Sequence, residues 1–172
     1  MAMQRKEQLK EHYDQTAHRW VVPVDRMPHR YYHQSMLESL LPSKQGERAL
    51  DMGCGAGTFT IALRRAGYPE VYALDMSSRM LDHLKWEANA QRIDSIYTIQ
   101  GDAASLPFPS GSLDFIISVG LMECVQEPAP ILDEVSRVLR KGGIASIRWL
   151  NRAGVWGLLE RGRDRIGIPS GI

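Results

Sequence analysis

The chain of 172 residues carries 21 Lys and Arg against 20 Asp and Glu, a formal net charge of +1, and 44% of its residues are hydrophobic. That is the length and composition of one globular domain with a single core, which excludes disordered, collagen-like and low-complexity scaffolds. No apolar run approaches the roughly 20 residues of a bilayer-spanning helix, the opening MAMQRKEQLKEHYDQ is too polar for a signal peptide, and Cys54 and Cys124 are too few for a disulfide framework, so the expected setting is the cytoplasm with both thiols reduced.

In chain order, Leu9, Tyr13 and Trp20 share one face of a helix expected over about 6–20. Pro23 and Pro28 interrupt the chain, and a second helix is expected from about His29, burying Met36, Leu37, Leu40 and Leu41 before Pro42. From Glu47 the pattern changes to short apolar runs separated by helical periods. Strands are expected at 48–52, 71–74, 96–100, 113–118 and 144–150. Helices are expected at 58–66, 78–90 and 130–139, the last with Pro130 at its first position and Gly142 as its C-terminal cap. Strands joined by helix-length crossovers imply a parallel, doubly wound α/β sheet. The expected organisation is one domain: N-terminal helices over 1–45, a ligand-binding core over 46–150, and a short C-terminal helix and tail over 151–172.

Such sheets bind ligands outside the carboxyl ends of their strands, where the strand order reverses. Each of the first three strand ends carries an acidic residue beside glycine or a turn: Asp51, Asp75 and Asp102. The segment ALDMGCGAGTFT (49–60) runs a strand through Gly53, Gly55 and Gly57 into a helix, a turn that lets backbone approach a ligand and that offers helix N–H groups to its anionic end. The dinucleotide fingerprint would need glycine at Thr58 or Thr60, and no lysine stands between Lys44 and Lys85 to complete a P-loop. Asp75, 22 residues after Gly53, suits the vicinal hydroxyls of a ribose; it or Ser77 would also cap the next helix. Cys54, between two glycines, reads as a small residue in a tight turn rather than a nucleophile.

Four segments together, ALDMGCGAGTFT, YALDMSSRML, GDAASLPFPSGSLDFIIS and ILDEVSRVLRKGGIASI, resemble the class I S-adenosylmethionine-dependent methyltransferases, and within them the small-molecule group related to quinone biosynthesis. The resemblance implies a Rossmann-like sheet of order 3-2-1-4-5 and S-adenosylmethionine as cofactor, with S-adenosylhomocysteine as its product. It implies that Asp51 orients the glycine loop and the methionine amino group, that Gly53, Cys54, Gly55 and Gly57 admit the methionyl portion, and that Asp75 holds the ribose. Met76 would pack beside the adenine, Asp102 would accept its exocyclic amine, Ala103 would donate a backbone N–H, and Val119 would face the methionyl end. The stretch around Tyr13 and Asp14 is similar to the lid helix of many relatives. Many relatives have histidine near the positions of Glu123 and Cys124, and this chain departs there.

Methyl transfer by in-line displacement draws its activated group from the cofactor, so the protein supplies chiefly orientation and water exclusion. Candidates for a general base are Glu123, Tyr13, His18, His29 and His33. His29 and His33 have helical i, i+4 spacing but no carboxylate to complete a metal site, and no metal is expected. Trp20, Tyr31 and Tyr32 are candidates for lining an acceptor pocket or for packing. Near-neutral charge, with only Arg161, Arg163 and Arg165 clustered, argues against nucleic acid and so against an RNA methyltransferase. The resemblance implies that the sheet continues with strands six and seven, and residues 151–172 are expected to be too few to supply them. A second copy, a partner, or the segment 154–165 is therefore expected to cover Ile144, Ile147 and Trp149 on strand five, and an inactive or partner-dependent cofactor-binding subunit is the alternative reading.

Overall fold

The computed structural model describes residues 2–20, 39–41 and 46–148. A helix α1 (Ala2–Trp20) precedes a sheet of five parallel strands, β1 (Arg48–Met52), β2 (Glu70–Asp75), β3 (Ile96–Gln100), β4 (Leu113–Val119) and β5 (Leu139–Arg148), in the order β3-β2-β1-β4-β5. The connections carry α2 (Thr58–Arg65), α3 (Ser78–Ala90) and α4 (Ala129–Val138). This is the expected Rossmann-like order, and it reverses between β1 and β4.

Strand alternation divides the core into two layers. Ala49, Val71, Phe115 and Ile117 face one side, where Phe59 and Leu63 of α2 pack with Tyr68. Ala73 meets Ile61, Leu81 and Leu84 there, so α2 and α3 cover that side. Leu50, Met52, Leu74 and Ile116 face the other, against Ile131, Val135 and Val138 of α4. Being covered on both faces is why β1 and β4 read as almost unbroken apolar runs. The β3–β4 connection has no helix. Leu106 and Phe108 close the sheet instead, and α4 ties their backbone down: Arg137 donates to the carbonyls of Phe108 (2.8 Å) and Leu106 (3.0 Å), while Glu134 accepts from the Leu106 N–H (2.6 Å).

Expectation and structure part at the last crossover. Gly142 does not cap α4: the chain turns extended at Leu139, and Gly142 sits in β5 with φ +79°. Only Asp114 separates Leu113 from Phe115 on β4, whereas four residues separate their partners Leu139 and Ile144 on β5, so the chain bulges there. The Asp114 carboxylate organises this irregularity, accepting from the N–H groups of Glu47 and Arg48 (2.8 Å each) and from Arg140. Burial opposes its charge, but the donors from Arg48, Arg140 and Glu47 hold its carboxyl below the usual carboxylate range. Ile144 and Ile147 are half-buried and pack into opposite core layers. The edge of β5 opposite β4 carries no strand among the described residues. Trp149, Leu150, the segment 154–165 and most of the second expected helix lie outside the described residues; of that helix, Leu40 and Leu41 pack beside Phe59 and Val71.

Asp114→Ala should remove three donors' partner at the start of β1 and the bulge of β5. Loss of about 2 kcal/mol of stability is expected in urea unfolding, with an unchanged m-value.

Candidate active site

The turn after β1 builds the centre of the cleft. Gly53, Gly55 and Gly57 all have left-handed φ, of +73°, +51° and +90°. Gly53 and Cys54 donate to the carbonyl of Leu74 (2.8 and 3.0 Å), and Gly55 donates to Asp75 Oδ2 (2.9 Å), so the turn folds back over the end of β2. A side chain at Gly57 would strike Leu84, and one at Gly53 would press on Leu121; a Cβ at Gly55 would meet nothing within 4 Å. That side of the turn is open, beside the Asp75 carboxylate to which Gly55 donates.

Asp51, at the centre of the sheet, is 2% exposed and accepts from Thr60 Oγ1 at 2.6 Å. Burial raises its pKa to about 7 despite the Thr60 hydroxyl and N–H; Asp75 nearby adds to the rise. Asp75 divides its oxygens between Gly55 and the N–H of Ser77 (2.9 Å), and burial raises its pKa against those backbone donors, with Asp14 contributing. Ser77 is the cap of α3, its hydroxyl accepting from the Met80 N–H at 3.2 Å. Met76 is half-buried, its carbonyl accepting from Gln100. Asp102 accepts from Ala104 (2.9 Å), beside buried Ala103. Val119 packs with the core layer of Phe115 and Ile117. Cys54 is 8% exposed among Ile61, Ala73, Leu81 and Leu84, and burial, with Asp51 and Asp75 adding, pushes its thiol up, which fits a small turn residue rather than a nucleophile.

The base candidates separate. Tyr13 reaches from α1 to Cys124 Sγ at 3.0 Å, in the short helical turn Met122–Cys124 after β4. Burial first, then Cys124, Asp75 and Glu123, raise the Tyr13 hydroxyl far above its ordinary value, so it holds its proton, and in its pair with Cys124 either group can donate. This also places Glu123 near it. His18 is exposed and instead lines an outer groove of about 770 Å³ between α1 and α3 with Asp82, His83 and Trp86. His29, His33, Tyr31 and Tyr32 lie outside the described residues, and no group of three metal-ligating side chains occurs among the described residues. Sequence reasoning missed Lys6, whose Nζ lies 2.5 Å from Asp102 Oδ2, and the roles of Thr60 and Asp14. Only helical spacing, which puts Lys6 two turns from Tyr13, hinted at the first.

Residues 50–147, running from within β1 into β5, match the family described as "Methyltransferase domain". The chain belongs to that family. This methyltransferase domain is 39% identical over 104 residues to a demethylmenaquinone methyltransferase of Geobacillus stearothermophilus, covering 59% of this chain and 44% of that protein. It is 36% identical over 118 residues to a ubiquinone/menaquinone biosynthesis C-methyltransferase of Roseobacter denitrificans, covering 67% of this chain and 46% of that one. The chain thus spans less than half the length of these curated relatives. Among solved structures it resembles S-adenosylmethionine-dependent methyltransferases from Mesorhizobium loti (TM-score 0.59, 27% identity, 72% of this chain and 54% of that one) and Aquifex aeolicus (TM-score 0.55, 26% identity, 62% and 57%). These likenesses make it a class I methyltransferase domain.

Two outcomes are expected from the carboxylates. Asp75→Ala should cost about 2 kcal/mol of stability, besides any ligand contact, because the Gly55 and Ser77 N–H groups lose their acceptor; urea unfolding without ligand measures it. Asp51 binds its proton more tightly folded than unfolded, so its contribution favours folding at low pH and is lost as pH rises from about 4 to about 7. Asp51→Asn should accordingly gain stability relative to the parent across that window, on the order of a few kcal/mol, and level off above it, in melts taken from pH 4 to 8.

Proposed function

We propose that this domain binds S-adenosylmethionine at the carboxyl ends of β1–β4 and supports methyl transfer to a small-molecule acceptor by in-line displacement. The observation that carries the reading is the open left-handed turn at Gly55, flanked by Asp51, Asp75 and Asp102 at the ends of three neighbouring strands. At about 4.8 Å per strand the three carboxylates span on the order of 10 Å, the length of a nucleoside with an amino-acid arm. Asp51 supports the turn and attracts the amino group, Gly53, Cys54, Gly55 and Gly57 leave room for the methionyl arm, and Asp75 takes the ribose hydroxyls. Met76, Asp102 and Ala103 border the adenine, and Val119 borders the methionyl end. When bound, the cofactor supplies an activated methyl group on sulfur.

The acceptor, we infer, is a hydroxylated aromatic ring of the quinol type, in line with the relatives named for demethylmenaquinone and ubiquinone. Tyr13 donates a hydrogen bond to its oxygen, and Glu123 takes the proton released as the ring gains the methyl group. The proposal includes a cytoplasmic setting in which Cys54 and Cys124 stay reduced, and coverage of the β5 edge by a second copy or a partner. No helix among the described residues is long and apolar enough to cross a membrane.

Calorimetric titration with S-adenosylhomocysteine should give saturable heat and raise the melting temperature, since a ligand selective for the folded state stabilises it. Label from S-adenosylmethionine should then appear in a short-chain naphthoquinol. Absence of heat and of any melting shift at millimolar ligand overturns the cofactor reading, and binding of NAD instead favours a dehydrogenase. Binding without transfer supports a partner-dependent subunit.

A further inference from the structure

Among the described residues, helix α1 is fastened across the strand ends through Lys6, Asp14 and Tyr13. Lys6 Nζ meets Asp102 Oδ2 at 2.5 Å beyond β3; Asp14 Oδ1 accepts from Ser77 Oγ at 2.5 Å beyond β2, with the Arg79 N–H at 3.4 Å; and Tyr13 Oη meets Cys124 Sγ at 3.0 Å beyond β4. Helix geometry makes these one face: Lys6 and Tyr13 are two turns apart, about 10 Å along the axis, and buried Ala17 follows a turn later. The strand order places β3 and β4 three strand spacings apart, about 14 Å, a distance that this length of helix spans with its side chains.

At Asp102 the contact has a chemical consequence. One carboxylate oxygen is committed to the Ala104 N–H, and the other, the one open to a ligand, is taken by the chain's own ammonium group. We propose that α1 is a self-occluding strap in which Lys6 stands in at Asp102 for the ligand's amino group, so that cofactor entry requires Lys6 to let go. This rests on the reading of Asp102 as part of the cofactor site.

The pair is half exposed, with side-chain accessibilities of 48% and 34%, so it belongs with surface ion pairs worth at most about 1 kcal/mol, or roughly fivefold in affinity. The strap therefore tunes entry rather than blocking it, and salt weakens it. Asp14 and Tyr13 hold the same helix by neutral partners, so among the described residues Lys6 is the salt-sensitive fastening.

The test compares the full chain with Lys6→Met, which keeps the stem and removes the charge, and with Lys10→Met as a charge control. The probe is S-adenosylhomocysteine, a zwitterion without net charge, followed by calorimetry and stopped-flow kinetics. Lys6→Met should bind about two- to fivefold tighter, through a faster association rate, and the parent should approach it as salt rises to about 0.5 M; Lys10→Met should match the parent. Hydrogen exchange without ligand should be faster in α1 of Lys6→Met. Equal or weaker binding by Lys6→Met, or unchanged exchange in α1, overturns the strap while leaving the cofactor reading intact. Faster α1 exchange without binding by any of the three proteins removes Asp102 as a cofactor site and the stand-in role of Lys6 with it.

Discussion

The turn after β1 hangs from the end of β2. Two of its N–H groups share the Leu74 carbonyl and a third reaches the Asp75 carboxylate, while the same carboxylate takes the first N–H of the turn into α3. A single half-buried side chain thus ties a loop, a strand end and a helix start together, and it gives each of these donors a partner. The left-handed glycines follow from this constraint: a chain that leaves β1 and doubles back within three residues needs φ values that side chains resist. Gly57 lies against Leu84 and Gly53 against Leu121, so two of the three serve packing, and only Gly55 opens on the cleft.

The electrostatics of the cleft derive from the same closeness. Asp51 is buried and Asp75 half-buried; desolvation makes both charges harder to hold, with Asp75 adding to the rise at Asp51 and Asp14 to that at Asp75. Two of the strand-end aspartates meet the chain's own groups: the Thr60 hydroxyl on Asp51, and the Lys6 ammonium on partly exposed Asp102. Tyr13, set against Cys124 and close to Asp75 and Glu123, keeps its proton for the same reason that the aspartates are strained.

Farther out, the fold replaces a missing crossover helix with side chains. Arg137 and Glu134, three apart on α4, hold three backbone groups of the Leu106–Phe108 loop, and their mutual ion pair keeps Glu134 ionised, its pKa lowered to about 2 chiefly by the Arg137 hydrogen bond. Asp114 does similar work on the opposite rim, where β5 bulges. Neither device touches the cleft, but both fix the sheet edges that set the spacing of the strand ends.

Alternation of apolar runs with helical periods, together with the glycine-rich turn, determined the class, the five strands and the location of Asp51, Asp75 and Asp102, because buried parallel strands and left-handed turns each demand particular residues locally. The start of β5 was misplaced because Gly142 looks like a cap, and only the long-range pull of Asp114 on Glu47, Arg48 and Arg140 shows why it lies in a bulge instead. Tertiary structure alone decided which candidates meet. Tyr13 joins Cys124 across 111 residues and Lys6 joins Asp102 across 96, while His18 is turned to the outer groove. Such contacts depend on how a helix docks on finished strand ends, and no local pattern of residues encodes that angle.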